Sequence, residues 1–239
     1  MLSYMIDSNM QKPLILGCIQ PSYIPWRGYF HIIQRSDIFV FHDDIQYTKQ
    51  DWRNRNRIKT PNGSQWLTVP VRHDTISGDI KDVIIDNSSP WAIKHLHLIE
   101  LSYHKSPYYY RYRDFFHDVY NKRWENLADL DIYLVEQICY FLRINTKLIR
   151  SSELGITGKK TDRLVQICKI LGANLYISGP AAKAYIEMEK FDSIGVCVEY
   201  QTYEYPNYPQ LHGAFDPFLS VIDLLFNCED DSPRYIFDL

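Results

Sequence analysis

Two adjacent carboxylates, Asp43 and Asp44, stand beside His42 and a short step before five cations, Lys49, Arg53, Arg55, Arg57 and Lys59, in the run DDIQYTKQDWRNRNRIK. An imidazole next to a carboxylate is a candidate pair for taking a proton from an attacking group. The arginines alternate with Asn54 and Asn56 at the period of a strand, which puts three guanidinium groups on one face and two amides on the other. Such a row offers planar forks that hold phosphate or carboxylate at two points. A charge run can equally be a solvated face, but Tyr47 and Trp52 hem this one and a single carboxylate, Asp51, interrupts it. The chemistry indicated is binding of one small anion, with Gln46 and Lys49 at its edge. A divalent cation bridging a diphosphate through Asp43 and Asp44 is an alternative, although neighbouring residues of a strand point to opposite faces.

The bulk numbers bound what can hold these residues. With 239 residues, 46% apolar and 15% aromatic, the chain can bury a large core. A formal charge of −3 argues against broad nucleic-acid binding, which needs a basic face able to displace counterions from many phosphates. The five cysteines, Cys18, Cys139, Cys168, Cys197 and Cys228, include no C-x-x-C pair and read as reduced thiols, neither a disulfide frame nor a zinc site. Cys18, at the end of an apolar strand, is either packing or a nucleophile. No histidines pair in an H-E-x-x-H layout, so no metal set is expected, and no motif names a cofactor. No apolar run approaches the ~20 residues that span a bilayer, and the first eleven residues lack the layout of a secretory signal, so a cytoplasmic location is expected.

Periodicity predicts strands over 14–19 and 38–41 flanking a helix over 29–34, then strands over 65–71 and 80–85. From 90 to 120 the chain is helical and rich in aromatics, divided at Pro107, and Leu127, Leu130, Leu134, Ile138 and Phe141 mark one buried helix stripe. Alternation then returns: strands over 147–149, 174–177 and 196–200, helices over 161–171, 181–188 and 217–227. The fold class that follows is α/β with a doubly wound, mostly parallel, Rossmann-like sheet. It is read as a single domain over 12–239 carrying an aromatic-rich helical insertion at 88–145, after an N-terminal tail at 1–11. The segment Tyr108 to Tyr112 is more apolar than a solvent-facing turn needs and could join two copies of the chain.

In an open parallel sheet, ligands gather beyond the carboxyl ends of the strands. Three stretches fall there: Gln20 to Gly28, including Trp26; the carboxylate and arginine run; and Ser178 and Gly179, before Pro180 at the start of a helix. Ser178 can cap that helix or offer its hydroxyl to a ligand. The helix start KKTDRL, capped by Thr161 or Asp162, sets Lys159, Lys160 and Arg163 near a positive helix end, an arrangement that an anion would relieve. His212, in the loop YPQLHGAF, is a second candidate for proton transfer or substrate contact.

IQPSYIPWRGYF, DIFVFHDDIQYTK, WRNRNRIKTPNG, QWLTVPV, KTD, YISGPAAKAYI and FDPFLSVIDLLFN together resemble, in this order, the WbqC-like protein family, over about residues 14–227. Members occur in bacterial O-antigen and surface-polysaccharide gene clusters, and the resemblance implies a glycine or acyl transferase acting on amino sugars. The chain departs from that pattern where Asn227, Cys228 and Glu229 follow the last apolar run in place of the usual glycine. PSYIPWRGY is also similar in spacing to the H-x-G-H phosphate turn of nucleotidyltransferases and adenylate-forming enzymes, with Trp26 and Tyr29 where the histidines stand and only Gly28 kept. The expected function is transfer of an acyl or aminoacyl group to the amine of a nucleotide-linked sugar. Arg53, Arg55 and Arg57 would hold the diphosphate, Asp43 or Asp44 with His42 would act as base, and the backbone at Ser178 and Gly179 would steady the oxyanion. The alternative is a sugar-nucleotide binding module without chemistry.

Overall fold

The structure, a computed structural model, describes residues 12–204 and 206–237. Its centre is a five-stranded parallel sheet of β1 (Ile15–Ile19), β2 (Ile38–Phe41), β5 (Lys147–Arg150), β6 (Leu175–Ser178) and β7 (Cys197–Tyr200), in the order β5-β2-β1-β6-β7. Winding runs outward from β1 through β2 to β5, then reverses to β6 and β7. The reversal point lies between β1 and β6, and the fold is doubly wound α/β, as the alternation predicts.

Alternate residues of the strands feed two cores. Phe39, Phe41 and Ile177 face one cluster, built with α1 (Arg27–Arg35), α2 (Trp91–Tyr103), α3 (Tyr109–Asn121), α4 (Leu127–Phe141) and α7 (Val221–Cys228). Leu16, Cys18, Val40 and Tyr176 face the other, against α5 (Lys160–Leu171) and α6 (Met188–Asp192). Period two in the strands thus places helices on both faces. The aromatic helices α2 to α4 share the first cluster with the sheet: Tyr109 and Tyr112 are buried there, while Tyr110 is exposed.

Close approach of α1 to the sheet depends on Gly17. A Cβ there would meet Ser36 Oγ at 2.6 Å and the Ile32 and Phe39 side chains at 3.0 Å, and both apolar neighbours are buried. Gly17→Ala should therefore destabilise the protein by about 1–3 kcal/mol, the usual cost of an extra group in a filled core, read as a lower urea midpoint at unchanged slope. An unchanged midpoint would show that α1 can shift freely.

Several elements differ from the periodic reading. The stretch 80–85 is a short 3₁₀ turn, Ile80–Asp82, followed by isolated bridges from Ile84 to Asn126 and from Ile85 to Val71. β3 (Arg55–Thr60) and β4 (Gly63–Thr68) form a separate antiparallel hairpin, turned at Gly63 with its φ of +99°. The expected helix over 181–188 is a 3₁₀ turn, Pro180–Ala184, followed by α6. It breaks because the Thr161 hydroxyl donates to Tyr185 O at 3.3 Å and accepts from Glu187 N at 3.2 Å, tying this backbone to α5. α7 begins later than expected, at Val221, because the Ser220 side chain accepts from Ile222 N at 3.3 Å and caps it there. No helix among the described residues is long and apolar enough to cross a membrane.

Candidate functional site

A cavity of about 780 Å³ opens at the reversal point. Its walls come from the carboxyl ends of three strands: Cys18, Ile19 and Gln20 from β1; His42, Asp44, Ile45 and Gln46 after β2; Tyr176, Ser178 and Gly179 from β6. Gly158, Lys159, Lys160 and Arg163 at the start of α5 close one side, and Ala181, Ala182 and Tyr185 close another.

A chain of polar contacts organises the floor. Parallel pairing of Phe41 with Arg150 brings the turn after β5 beside the turn after β2. The backbone leaves extension there, with Asp43 N donating to Phe41 O at 2.9 Å. Asp43 and Asp44 consequently do not point apart as they would on a strand. The Ser151 hydroxyl sits between them, in contact with Asp44 Oδ1 and 3.2 Å from Asp43 Oδ1. Asp43 is fully buried and also accepts from Ser152 N at 3.0 Å and Ser152 Oγ at 2.8 Å. It holds the β5 turn in place and is not part of the cavity wall.

Asp44 reaches the wall and forms an ion pair through Oδ2 with the Arg163 guanidinium, the two side chains being 12% and 8% exposed. Burial by itself would raise the Asp44 carboxyl, but hydrogen bonds from Arg163 and Ser151 outweigh it and hold the group below its ordinary value. Arg163 also donates through Nε to His42 Nε2 at 3.1 Å and through Nη1 to Ile156 O at 3.1 Å. Burial first, and the guanidinium second, push the His42 imidazole down to about 4. Because a guanidinium only donates, His42 Nε2 is an acceptor and the ring proton sits on Nδ1. Cys18 packs into the second core cluster at 7% exposure, and burial raises its thiol well above its ordinary value, which disfavours a thiolate there.

The opposite wall is electropositive. Gly158 and Lys160 both have left-handed backbone, at φ +90° and +50°, and no side chain caps α5, because Lys159 occupies the N-cap position. Lys159 and Lys160 are exposed and pair with no carboxylate among the described residues, whereas Asp162 is drawn away to Lys190 at 2.6 Å. Lys160 and Arg163, three apart, share one helix face toward the cavity. A strained non-glycine residue at an uncapped helix start is an arrangement that a bound anion stabilises. Ser178 lines the cavity and does not cap the turn that follows it.

The remaining residues singled out from sequence lie elsewhere. Arg53, Arg55 and Arg57 do share one face of the hairpin segment while Asn54 and Asn56 are buried on the other, but none of the five lines the cavity. The amides are structural: Asn54 Nδ2 donates to Val69 O at 2.8 Å and Asn56 Nδ2 to Ile24 O at 2.8 Å. Arg53 lies 3.4 Å from Asp51, and Lys49 is exposed at the rim loop without an ion pair among the described residues. The Trp26 indole lies across Gly28 and edge-on to Tyr203, and Tyr29 donates to Gln20 O at 3.0 Å, so neither position of the H-x-G-H-like turn enters the cavity. His212 Nε2 rests 2.7 Å from Ser102 O, against α2. Sequence reasoning missed Ser151, Ser152, Tyr176 and Tyr185.

The fold and this site define an open α/β protein with a cavity at the switch point of its sheet. The chain belongs to the WbqC-like protein family, whose model matches residues 20–235. A relative 39% identical over 224 residues, covering 92% of this chain and 96% of its own length, is the uncharacterized protein Rv1507c of Mycobacterium tuberculosis. No solved structure matches the chain significantly.

Proposed function

We propose that this chain binds a sugar nucleotide in the switch-point cavity and transfers an acyl or aminoacyl group from an activated thioester or acyl-phosphate donor to the sugar's amine, the thiol or phosphate leaving as the amide forms, during synthesis of a bacterial surface polysaccharide. The observation that carries the binding half is the uncapped start of α5 with left-handed Lys160, opening onto the cavity beside Lys159, which pairs with no carboxylate among the described residues. The diphosphate lies against these backbone amides and lysines, and the cavity's 780 Å³ suffices for a ligand of drug-like size. Asp44 orients the amine and accepts its proton, being the carboxylate of the pair that reaches the cavity wall. Backbone groups at Ser178 and Gly179 face the developing oxyanion. The transfer half rests on family membership.

Calorimetry with UDP-glucosamine, whose amine is free, tests the binding half. Lys159→Ala combined with Lys160→Ala removes two charge-assisted contacts of roughly 1.5–3 kcal/mol each, so affinity should fall at least about a hundredfold, and full affinity in the double variant would overturn the placement. A second reading, a binding module without chemistry, is favoured by one observation: both candidate bases, His42 and Asp44, are tied to the same guanidinium. Asp44→Asn separates the two. Under the transferase reading it abolishes the amide-linked substituent of the polysaccharide while the protein still binds; an unchanged polysaccharide supports the module.

A further inference from the structure

The β3–β4 hairpin carries a surface that the cavity does not use. Trp66 stands directly across from Arg57 in the ladder and on the same face as Arg55. The Arg55 guanidinium lies 4.5 Å from the centroid of the Trp66 ring and that of Arg57 lies 5.6 Å from it. The Trp52 ring sits 5.5 Å from Trp66 at an interplanar angle of 40°. Both indoles are 44% exposed, and no residue of this group lines the cavity. Folding does not require this exposure, since an indole gains most when fully covered. The guanidinium groups donate only to backbone, Arg55 to Gln50 O and Arg57 to Phe218 O at 3.0 Å, and neither pairs with a carboxylate among the described residues.

We propose that this hairpin face is a second binding site, for a carboxylate-bearing saccharide such as a uronic-acid segment of a polysaccharide. The apolar C–H face of a pyranose ring stacks on an indole, and two indoles inclined to one another form a bent surface that follows the turn between consecutive sugar units. Stacking on Trp66 holds the Arg55 and Arg57 groups in place, so their remaining terminal N–H groups donate to a carboxylate without a large ordering cost. Specificity for acidic over neutral sugars follows, because only the former supply the missing counter-ion. Nucleic acid is the less suitable occupant: at a formal charge of −3 the chain lacks the extended basic face that a phosphate backbone needs. The site stands whether or not the cavity holds a sugar nucleotide.

Tryptophan fluorescence and calorimetry on the full chain test this with three probes: tri-galacturonic acid, maltotriose and a single-stranded oligothymidylate. The acidic trimer should quench fluorescence and bind at least tenfold more tightly than maltotriose. Trp66→Ala should abolish the quenching. Arg55→Gln with Arg57→Gln, which leaves the ring surface intact, should remove the preference for the acidic trimer, and binding of UDP-glucosamine should be untouched in both variants. Equal affinity for acidic and neutral trimers, no binding of either, or tighter binding of the oligothymidylate would each overturn the proposal.

Discussion

Arg163→Met will lower the unfolding free energy by about 3–5 kcal/mol, the cost of stripping one partner from a buried ion pair. The guanidinium is almost fully enclosed and meets the Asp44 carboxylate, His42 Nε2 and the Ile156 carbonyl. Methionine fills much of its volume but leaves Asp44 as a partly buried charge on the cavity wall, held by Ser151 alone on that side. Lysine is no remedy, since one ammonium cannot reach three partners arranged around a planar fork. The loss should therefore appear in Arg163→Lys as well, at somewhat smaller size, as a drop in urea midpoint. A partial return of stability in Asp44→Asn/Arg163→Met, where no orphan charge remains, identifies the mechanism. If the double variant is no more stable than Arg163→Met, the cost lies in packing and the ion-pair account fails. Ligand affinity should fall in the single variant too, because the same residue fixes the orientation of the wall facing Lys160.

The parallel sheet was legible in the sequence because buried strands are short unbroken apolar runs, as at Ile38–Phe41, and because Gly172 stops α5 in the left-handed conformation that glycine adopts freely. Strand-end logic likewise put Gln20, Asp44, Gln46 and Ser178 at one place, and the charge at the helix start pointed separately to Lys160. Ser151 and Ser152 were invisible for a topological reason. They lie 108 and 109 residues from Asp43, and only the pairing of β2 with β5 joins them. The arginine row shows the opposite limit. Its alternation correctly reports which side chains share a face, yet nothing local reveals whether a hairpin face turns toward the switch point or toward solvent. Asn54 and Asn56 read as ligand contacts for the same reason: an amide that satisfies buried carbonyls and one that meets a ligand look identical in sequence.

Acid will unfold this protein earlier than its carboxylates alone would cause, through two histidines on different faces of the molecule. His42 and His95 are both buried, and burial pushes each imidazole from 6.5 down to about 4. His42 faces Arg163, which deepens the depression, and Asp44 and Asp43, which oppose it; His95 lies against Trp91 and within hydrogen-bond distance of the Tyr23 hydroxyl at 2.9 Å. In the unfolded chain each ring takes a proton near pH 6.5, while in the native state it stays neutral until about pH 4. Between those values the unfolded state binds more protons, so stability falls as the pH falls, by about 3 kcal/mol for each histidine. Asp223 works in the other direction. Burial raises it to about 6 despite hydrogen bonds from Tyr103 and Tyr208, so the native state binds its proton first and stability is gained as the pH drops from 6 toward 3.8, by about 3 kcal/mol. Burial also raises the Asp131 carboxyl well above its ordinary value, which opposes the histidines in the same way, so the slope of unfolding free energy between pH 6.5 and 4 is the balance of these groups and tilts further toward acid-induced loss in Asp223→Asn. His95→Asn loses stability at pH 7.5 yet shows a shallower slope between pH 6.5 and 4, because the group that titrates is gone. A slope unchanged from the parent would mean that His95 is already protonated in the native state, and its burial against Tyr23 would then need a nearby negative charge to sustain it.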